Sequence, residues 1–224
     1  MRGLATRITL LSVAFAAPIG VLPCLAAGTV RFGEAWASAG AHLLGMLLAN
    51  AYFLRNDPAL IERRLAMTRA ESDAGQRRIK ALLALFAIAM LALAGLDRRF
   101  GWSHVPPAIV GIAYVAIAAG TLVVFLAMRE NSYLSANIEV DSGQTVVDTG
   151  IYRAARHPMY AGYALIGLAT PLALASGWTE VLFAPALAVL IARLLKEERF
   201  LVAQLPGYVE YMRRTRYRLV PHVW

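Results

Sequence analysis

The stretch NIEVDSGQTVVDTGIYRAARHPMY, residues 137–160, decides how this chain is read. Long apolar runs lie on either side of it, which makes it a polar segment between membrane spans. It carries more than a connector needs: the turn formers Asp141, Ser142, Gly143 and Gly150, the arginines Arg153 and Arg156, and the cluster Arg156-His157-Pro158-x-Tyr160 at the mouth of the next apolar run. Pro158 keeps His157 out of the α region, so the imidazole sits on a shaped bend where a helix begins. A second cluster, Arg193 with Glu197 beside Glu198, follows the next hydrophobic stretch. On a helix Arg193 and Glu197 share a face. A hairpin brings its ends together, so the two clusters are expected to close on one pocket.

Outward from that stretch the composition is that of a membrane protein. The chain has 224 residues, 59% of them hydrophobic, with a mean hydropathy of +0.57; soluble domains hold fewer apolar residues. Apolar runs fall at 8–27, 35–54, 79–96, 108–128, 159–176 and 178–195. The fold class is therefore all-α: a polytopic membrane helical bundle of about six apolar segments. The last two segments are the shortest, meet at Gly177 and contain Pro171 and Pro185. They read as a tight, kinked hairpin of the sort that lines a cavity. Residues 1–27 read as a retained span and not a cleaved leader. Two regions result: four membrane spans over 1–128, and a C-terminal region of helical hairpin and tail over 129–224.

Charge sets the orientation. With the N-terminus inside, 19 of the 22 Lys and Arg residues fall in inside segments, and only Arg31, Arg98 and Arg99 fall outside. Both termini and the 137–160 segment are expected in the cytoplasm. The net charge of +8 sits at the ends of apolar blocks, which argues for membrane lipids and against nucleic acid as the partner. The 55–80 loop reads either as a solvated basic connector or as an interfacial helix begun at Asp57-Pro58. The tail, with Leu201, Leu205, Tyr208, Tyr211 and Met212 at helical spacing, reads as amphipathic helices lying on the membrane or the core and broken at Pro206-Gly207.

Several chemistries are excluded. His42, His104, His157 and His222 show no ligand spacing and Cys24 is the only cysteine, so no metal site is expected. His42 and Cys24 read as bundle-packing residues. No polar segment is long enough for a βαβ nucleotide-binding unit. Acidic groups beside arginines, an imidazole and tyrosines at a membrane surface suit a zwitterionic ligand. The bland alternative is that Arg193, Glu197 and Glu198 are charges snorkelling to water.

Three pieces in order, Gly150-x-Tyr152-x3-Arg156-His157-Pro158-x-Tyr160, Arg193-x3-Glu197-Glu198-x2-Leu201 and Pro206-Gly207-Tyr208-x2-Tyr211, resemble the isoprenylcysteine carboxyl methyltransferase family. The wider group of that family includes membrane phospholipid N-methyltransferases. The resemblance covers about residues 130–221 and leaves the first four spans without a signature. It implies an S-adenosyl-L-methionine-dependent enzyme that O-methylates the carboxylate of a lipophilic, isoprenylcysteine-like acceptor entering from the bilayer. By position it implies a cofactor pocket of Asn137, Gln144, Thr145, Val146, Val147, Tyr152, His157, Pro158, Met159 and Tyr160, with Glu197 or Glu198. Arg193 would face the acceptor. Gln144 stands where relatives commonly carry His. The rivals are a lipid N-methyltransferase, a nicotinamide-dependent reductase in a related bundle, and a non-catalytic binding protein of the same fold.

Overall fold

The structure, a computed structural model, describes residues 2–66, 73–134, 138, 140 and 143–224. Among the described residues eight α-helices follow in order: α1 (Arg2–Ala27), α2 (Gly33–Asn56), α3 (Pro58–Ala66), α4 (Ala74–Phe100), α5 (Pro107–Glu130), α6 (Pro158–Ala173), α7 (Glu180–Gln204) and α8 (Tyr208–Arg214). A 3-10 turn, Gly150–Arg153, precedes α6. No strand occurs among the described residues.

Among the described residues four helices, α1, α2, α4 and α5, are long and apolar enough to cross a membrane, with 24 to 27 residues each. At 1.5 Å per residue they reach about 36–40 Å, more than a hydrocarbon core of about 30 Å. The remaining two expected segments are not alike. Helix α6 has 16 residues and reaches only about 24 Å. Helix α7 has 25 residues and does not stop at 195, where its apolar run ends; it carries Arg193, Glu197 and Glu198 inside one continuous helix to Gln204. Both helices run on through Pro171 and Pro185. Helices α6 and α7 touch each other across their short turn, while α6 packs chiefly on α5 and α7 chiefly on α4.

Glycine explains how close α5 and α6 come. A Cβ built on Gly162 would lie 2.7 Å from the Gly120 carbonyl oxygen and 2.7 Å from Val124 Cγ2. Small residues let helix backbones approach this closely in membranes. Ala113, Ile117, Ala169 and Ala173 continue the seam. Gly162→Leu is therefore expected to lower stability by about 1–3 kcal/mol through overpacking. The same change at Gly111, where an added Cβ meets nothing within 4 Å, should leave the melting temperature in detergent near that of the parent.

The α6–α7 turn is pinned by a buried carboxylate. Asp97, 2% exposed, accepts from Ser103 N at 2.8 Å, Ser103 Oγ at 2.6 Å and Ser176 Oγ at 2.5 Å. The Ser103 hydroxyl in turn accepts from Gly177 N at 2.9 Å. One side chain thus joins the α4–α5 connection to the α6–α7 turn and fixes where α7 starts.

At the other end, the 55–80 loop holds α3 and, from Ala74, the start of α4, while residues 67–72 lie outside the described residues. Asp57 Oδ1 accepts from Leu60 N at 3.0 Å and starts the helix. Leu60, Ile61 and Leu65 pack with Phe53 and Met128, so this segment is a helix seated on the bundle. Cys24 is buried in the α1–α2–α4 core. His42 Nδ1 lies 2.8 Å from the Ser38 carbonyl oxygen, a bundle residue with a local partner.

Candidate active site

The site forms where the 144–157 segment, the start of α6, the end of α7 and the tail meet. Gly150 shapes the first of these. Its φ is +52°, and a Cβ there would come within 2.5 Å of the Glu130 carboxylate, so glycine satisfies both the conformation and the space. The Thr149 hydroxyl donates to that same carboxylate, tying the segment to the end of α5. The turn after Gly150 buries Tyr152, whose carbonyl oxygen accepts from the Tyr211 hydroxyl at 2.8 Å. Helix α8 therefore docks on the turn. Leu205, Tyr208 and Tyr211 are buried with Tyr152 and Met159. The tail's apolar face turns into the site.

The start of α6 is held from behind by the last residues of the chain. The backbone N–H groups of Arg156 and His157 donate to the carbonyls of Tyr217 and Arg218, both at 2.9 Å. The Arg156 guanidinium, with its residue only 6% exposed, has every arm engaged. Nε and Nη2 reach Glu198 Oε1 at 2.7 and 2.6 Å, and Nη1 donates to the carbonyls of Thr215 and Arg216 at 2.8 Å. Arg218 Nε donates to the other oxygen, Glu198 Oε2, at 2.9 Å. Burial alone would push the Glu198 carboxyl up; the adjacent His157 imidazole and the Arg218 and Arg156 guanidiniums outweigh it and hold it at about 2. Glu198 is the centre of a buried ionic knot.

Glu197, one residue earlier on α7, points elsewhere. Its Oε2 accepts from the Tyr160 hydroxyl at 2.5 Å, and that hydroxyl accepts from Arg193 Nε at 3.0 Å. The rings of His157 and Tyr160 meet edge to face, with centroids 5.9 Å apart. The two clusters singled out in the sequence are in direct contact.

Between them lies a hollow of about 510 Å³, counting its open mouth. Its wall includes the strip 144–147, Tyr152, the run 157–160 and Glu197. The structure thus brings together Gln144, Thr145, Val146, Val147, Tyr152, His157, Pro158, Met159, Tyr160 and Glu197 around one space. One expected member of the wall, Glu198, stands apart from it, and so does Arg193, which was expected to face the acceptor. Glu198 turns away into the ionic knot, which separates the two candidate glutamates. Arg193 holds the Tyr160 hydroxyl. Asn137 lies outside the described residues.

Sequence reasoning did not assign Asn131, Leu134, Arg156, Leu201, Leu205, Tyr208 and Tyr211, all of which line the hollow. Leu201 and Leu205 follow Glu197 at helical spacing, and that periodicity was a usable signal. Tyr208 and Tyr211 stood in the third motif piece. Asn131, the residue after α5, carried no signal. Two wall atoms are buried with no hydrogen-bond partner among the described residues: the Tyr208 hydroxyl and His157 Nε2. Among the described residues no group of three or more His, Cys, Asp or Glu side chains stands together as a metal site.

The family model of the phospholipid methyltransferases matches residues 108–205, from the first turn of α5 to the end of α7 and across most of the hollow's wall. This is the wider group to which the isoprenylcysteine carboxyl methyltransferases belong. The match, together with the apolar helices, indicates a multi-pass membrane methyltransferase. No curated protein sequence matches the chain.

Proposed function

We propose that this chain binds S-adenosyl-L-methionine in the hollow and methylates the carboxylate of a lipophilic acceptor that enters from the bilayer. The observation that carries the reading is the convergence of His157 and Glu197 on one hollow, with Arg193 joined to them through Tyr160. The residues present fit such a donor. Glu197 offers a carboxylate for an ammonium or a ribose hydroxyl, Val146, Val147 and Met159 offer apolar packing, and the wall keeps two buried polar atoms for a ligand. When bound, the donor supplies a methyl group on a sulfonium cation.

The protein's own work is alignment and exclusion of water. A carboxylate acceptor has a reference pKa of about 4 and needs no general base near neutral pH. Transfer from a cation to an anion removes charge, and a poorly hydrated site favours it. Alignment alone is worth up to about 7–11 kcal/mol. Arg193 has a planar fork suited to one or both acceptor oxygens. The positive-inside count supports a cytoplasmic position for this end of the bundle.

The test is calorimetry of the purified chain with S-adenosylhomocysteine. The parent protein is expected to bind, and Glu197→Ala to bind at least about tenfold more weakly, the loss expected of a charged hydrogen bond. Unchanged affinity in the variant removes Glu197 from the donor site. One observation favours a second reading: the matching family is named for phospholipids, whose methylated group is an amine. An amine must shed a proton before attack, so its rate rises with pH around the amine pKa.

A further inference from the structure

We infer that the Tyr208 hydroxyl and His157 Nε2 form an anion-binding corner of the hollow that receives the carboxylate of the donor's methionine part. The inference rests on the reading of the hollow as an S-adenosyl-L-methionine site and goes beyond it by assigning a role to Tyr208.

Tyr208 is 4% exposed, and its hydroxyl has no hydrogen-bond partner among the described residues. A hydroxyl buried in this way costs about 1–3 kcal/mol unless something accepts from it. Native structures rarely tolerate that at a wall facing open space. His157, also 4% exposed, presents Nε2 in the same condition. Its nearest carboxylate oxygen, Glu198 Oε1, is 3.7 Å away, beyond hydrogen-bond reach. Both residues line the hollow. Two polar atoms left over at one wall call for one ligand group that satisfies both.

The charges behind the wall say what kind of group that is. Glu198 is the one acidic member of the knot, against the guanidiniums of Arg156 and Arg218. The knot is left with one positive charge in excess, and an anion beside it completes the balance. Arg156 cannot serve that anion directly with Nε, Nη1 or Nη2, because each is already engaged by Glu198 or by a tail carbonyl. The Tyr208 hydroxyl and His157 Nε2 in front of it are the groups left to touch the ligand. Burial, with Glu198 nearby, raises the Tyr208 phenol, so the hydroxyl keeps its proton and acts as a donor. Glu197 faces the same hollow and offers the opposite charge for an ammonium. An α-amino acid presents those two charges on one carbon.

The backbone is built to aim Tyr208. Gly207 adopts φ +83° and turns the chain sharply between α7 and α8. Tyr208 opens α8, and its ring packs against Tyr211, with centroids 5.7 Å apart. The Tyr211 hydroxyl is used to hold the Tyr152 carbonyl. Of this tyrosine pair, one hydroxyl anchors the fold and the other is left for the ligand.

The experiment compares two ligands by calorimetry on the full chain in detergent: S-adenosylhomocysteine and its decarboxylated analogue, which keeps the amine and lacks the carboxylate. The parent protein is expected to bind S-adenosylhomocysteine at least about tenfold more tightly than the analogue, equivalent to about 1.4 kcal/mol. Tyr208→Phe is expected to remove most of that difference while leaving the analogue's affinity unchanged, which also reports that the variant is folded. Equal affinity of the parent for both ligands overturns the inference, whatever the variant does. So does a variant that weakens both ligands by the same factor, since the hydroxyl would then serve the adenosine half. A parent protein that binds neither ligand rejects the donor site itself, a result separable from these.

Discussion

Glu198→Ala is expected to cost about 3–5 kcal/mol of stability, because it leaves Arg156 buried without its counter-charge. Glu198 and Arg156 are 5% and 6% exposed, so solvent screens the pair little. The loss spreads through the tail. Arg218 gives up its partner at 2.9 Å, and the strap that fastens Arg156 and His157 to Tyr217 and Arg218 is weakened at its side-chain end. Thermal unfolding in detergent reads this as a lower melting temperature. A variant that melts with the parent removes the knot from the account of stability.

The same carboxylate fixes an acid limit. Its folded value of about 2 lies below the ordinary 4.5. A depressed carboxyl contributes stability that is present above the unfolded value and is lost as pH falls through the folded one. The parent protein should therefore lose stability between about pH 4.5 and pH 2. Glu198→Ala should show a shallower decline across that window. Equal slopes would mean that other carboxylates set the acid limit.

The knot also marks where sequence reasoning stops. The four long spans were legible because hydrophobic runs report contact with lipid directly. The three motif pieces were legible as pieces, and a connection of a few residues was enough to place them at one end of the bundle. The end of α7 was not legible, because hydropathy tracks the lipid boundary while the helix continues into polar surroundings to Gln204. Nor could spacing choose between Glu197 and Glu198. Neighbours on a helix differ by about 100° in direction, and the choice depends on Arg156, 42 residues earlier, and on Arg218, 20 residues later. Asp97 was hidden for the same reason: its partner Ser176 is 79 residues away. The tail's apolar stripe was visible, but the stripe alone did not say whether lipid or Tyr152 would cover it.

Arg193→Ala is expected to slow methyl transfer about a hundredfold, the usual scale for removing one oriented donor from a reacting centre, while changing S-adenosylhomocysteine affinity by no more than about two- to threefold, within the reach of a net neutral hydrogen bond. The asymmetry follows from position. Arg193 does not line the hollow, whereas Tyr160 and Glu197 do. Its Nε donates to the Tyr160 hydroxyl at 3.0 Å, so it meets the hollow only through that residue. Arg193→Lys should recover little activity, since a point charge does not reproduce the planar fork. Single-turnover transfer to an S-prenylated cysteine derivative, measured beside calorimetry, separates the two effects. Loss of S-adenosylhomocysteine binding in Arg193→Ala would instead place the arginine on the donor's wall. The pH profile of the same transfer distinguishes the acceptors. A carboxylate is ionised throughout the range above its pKa of about 4, so its rate stays flat there, whereas an amine acceptor gives a rate that climbs as the amine loses its proton. A climbing profile with an amine lipid, and no transfer to the prenylated acid, would move Arg193 from holding acceptor oxygens to holding the phosphate of a headgroup, a task its fork performs equally well.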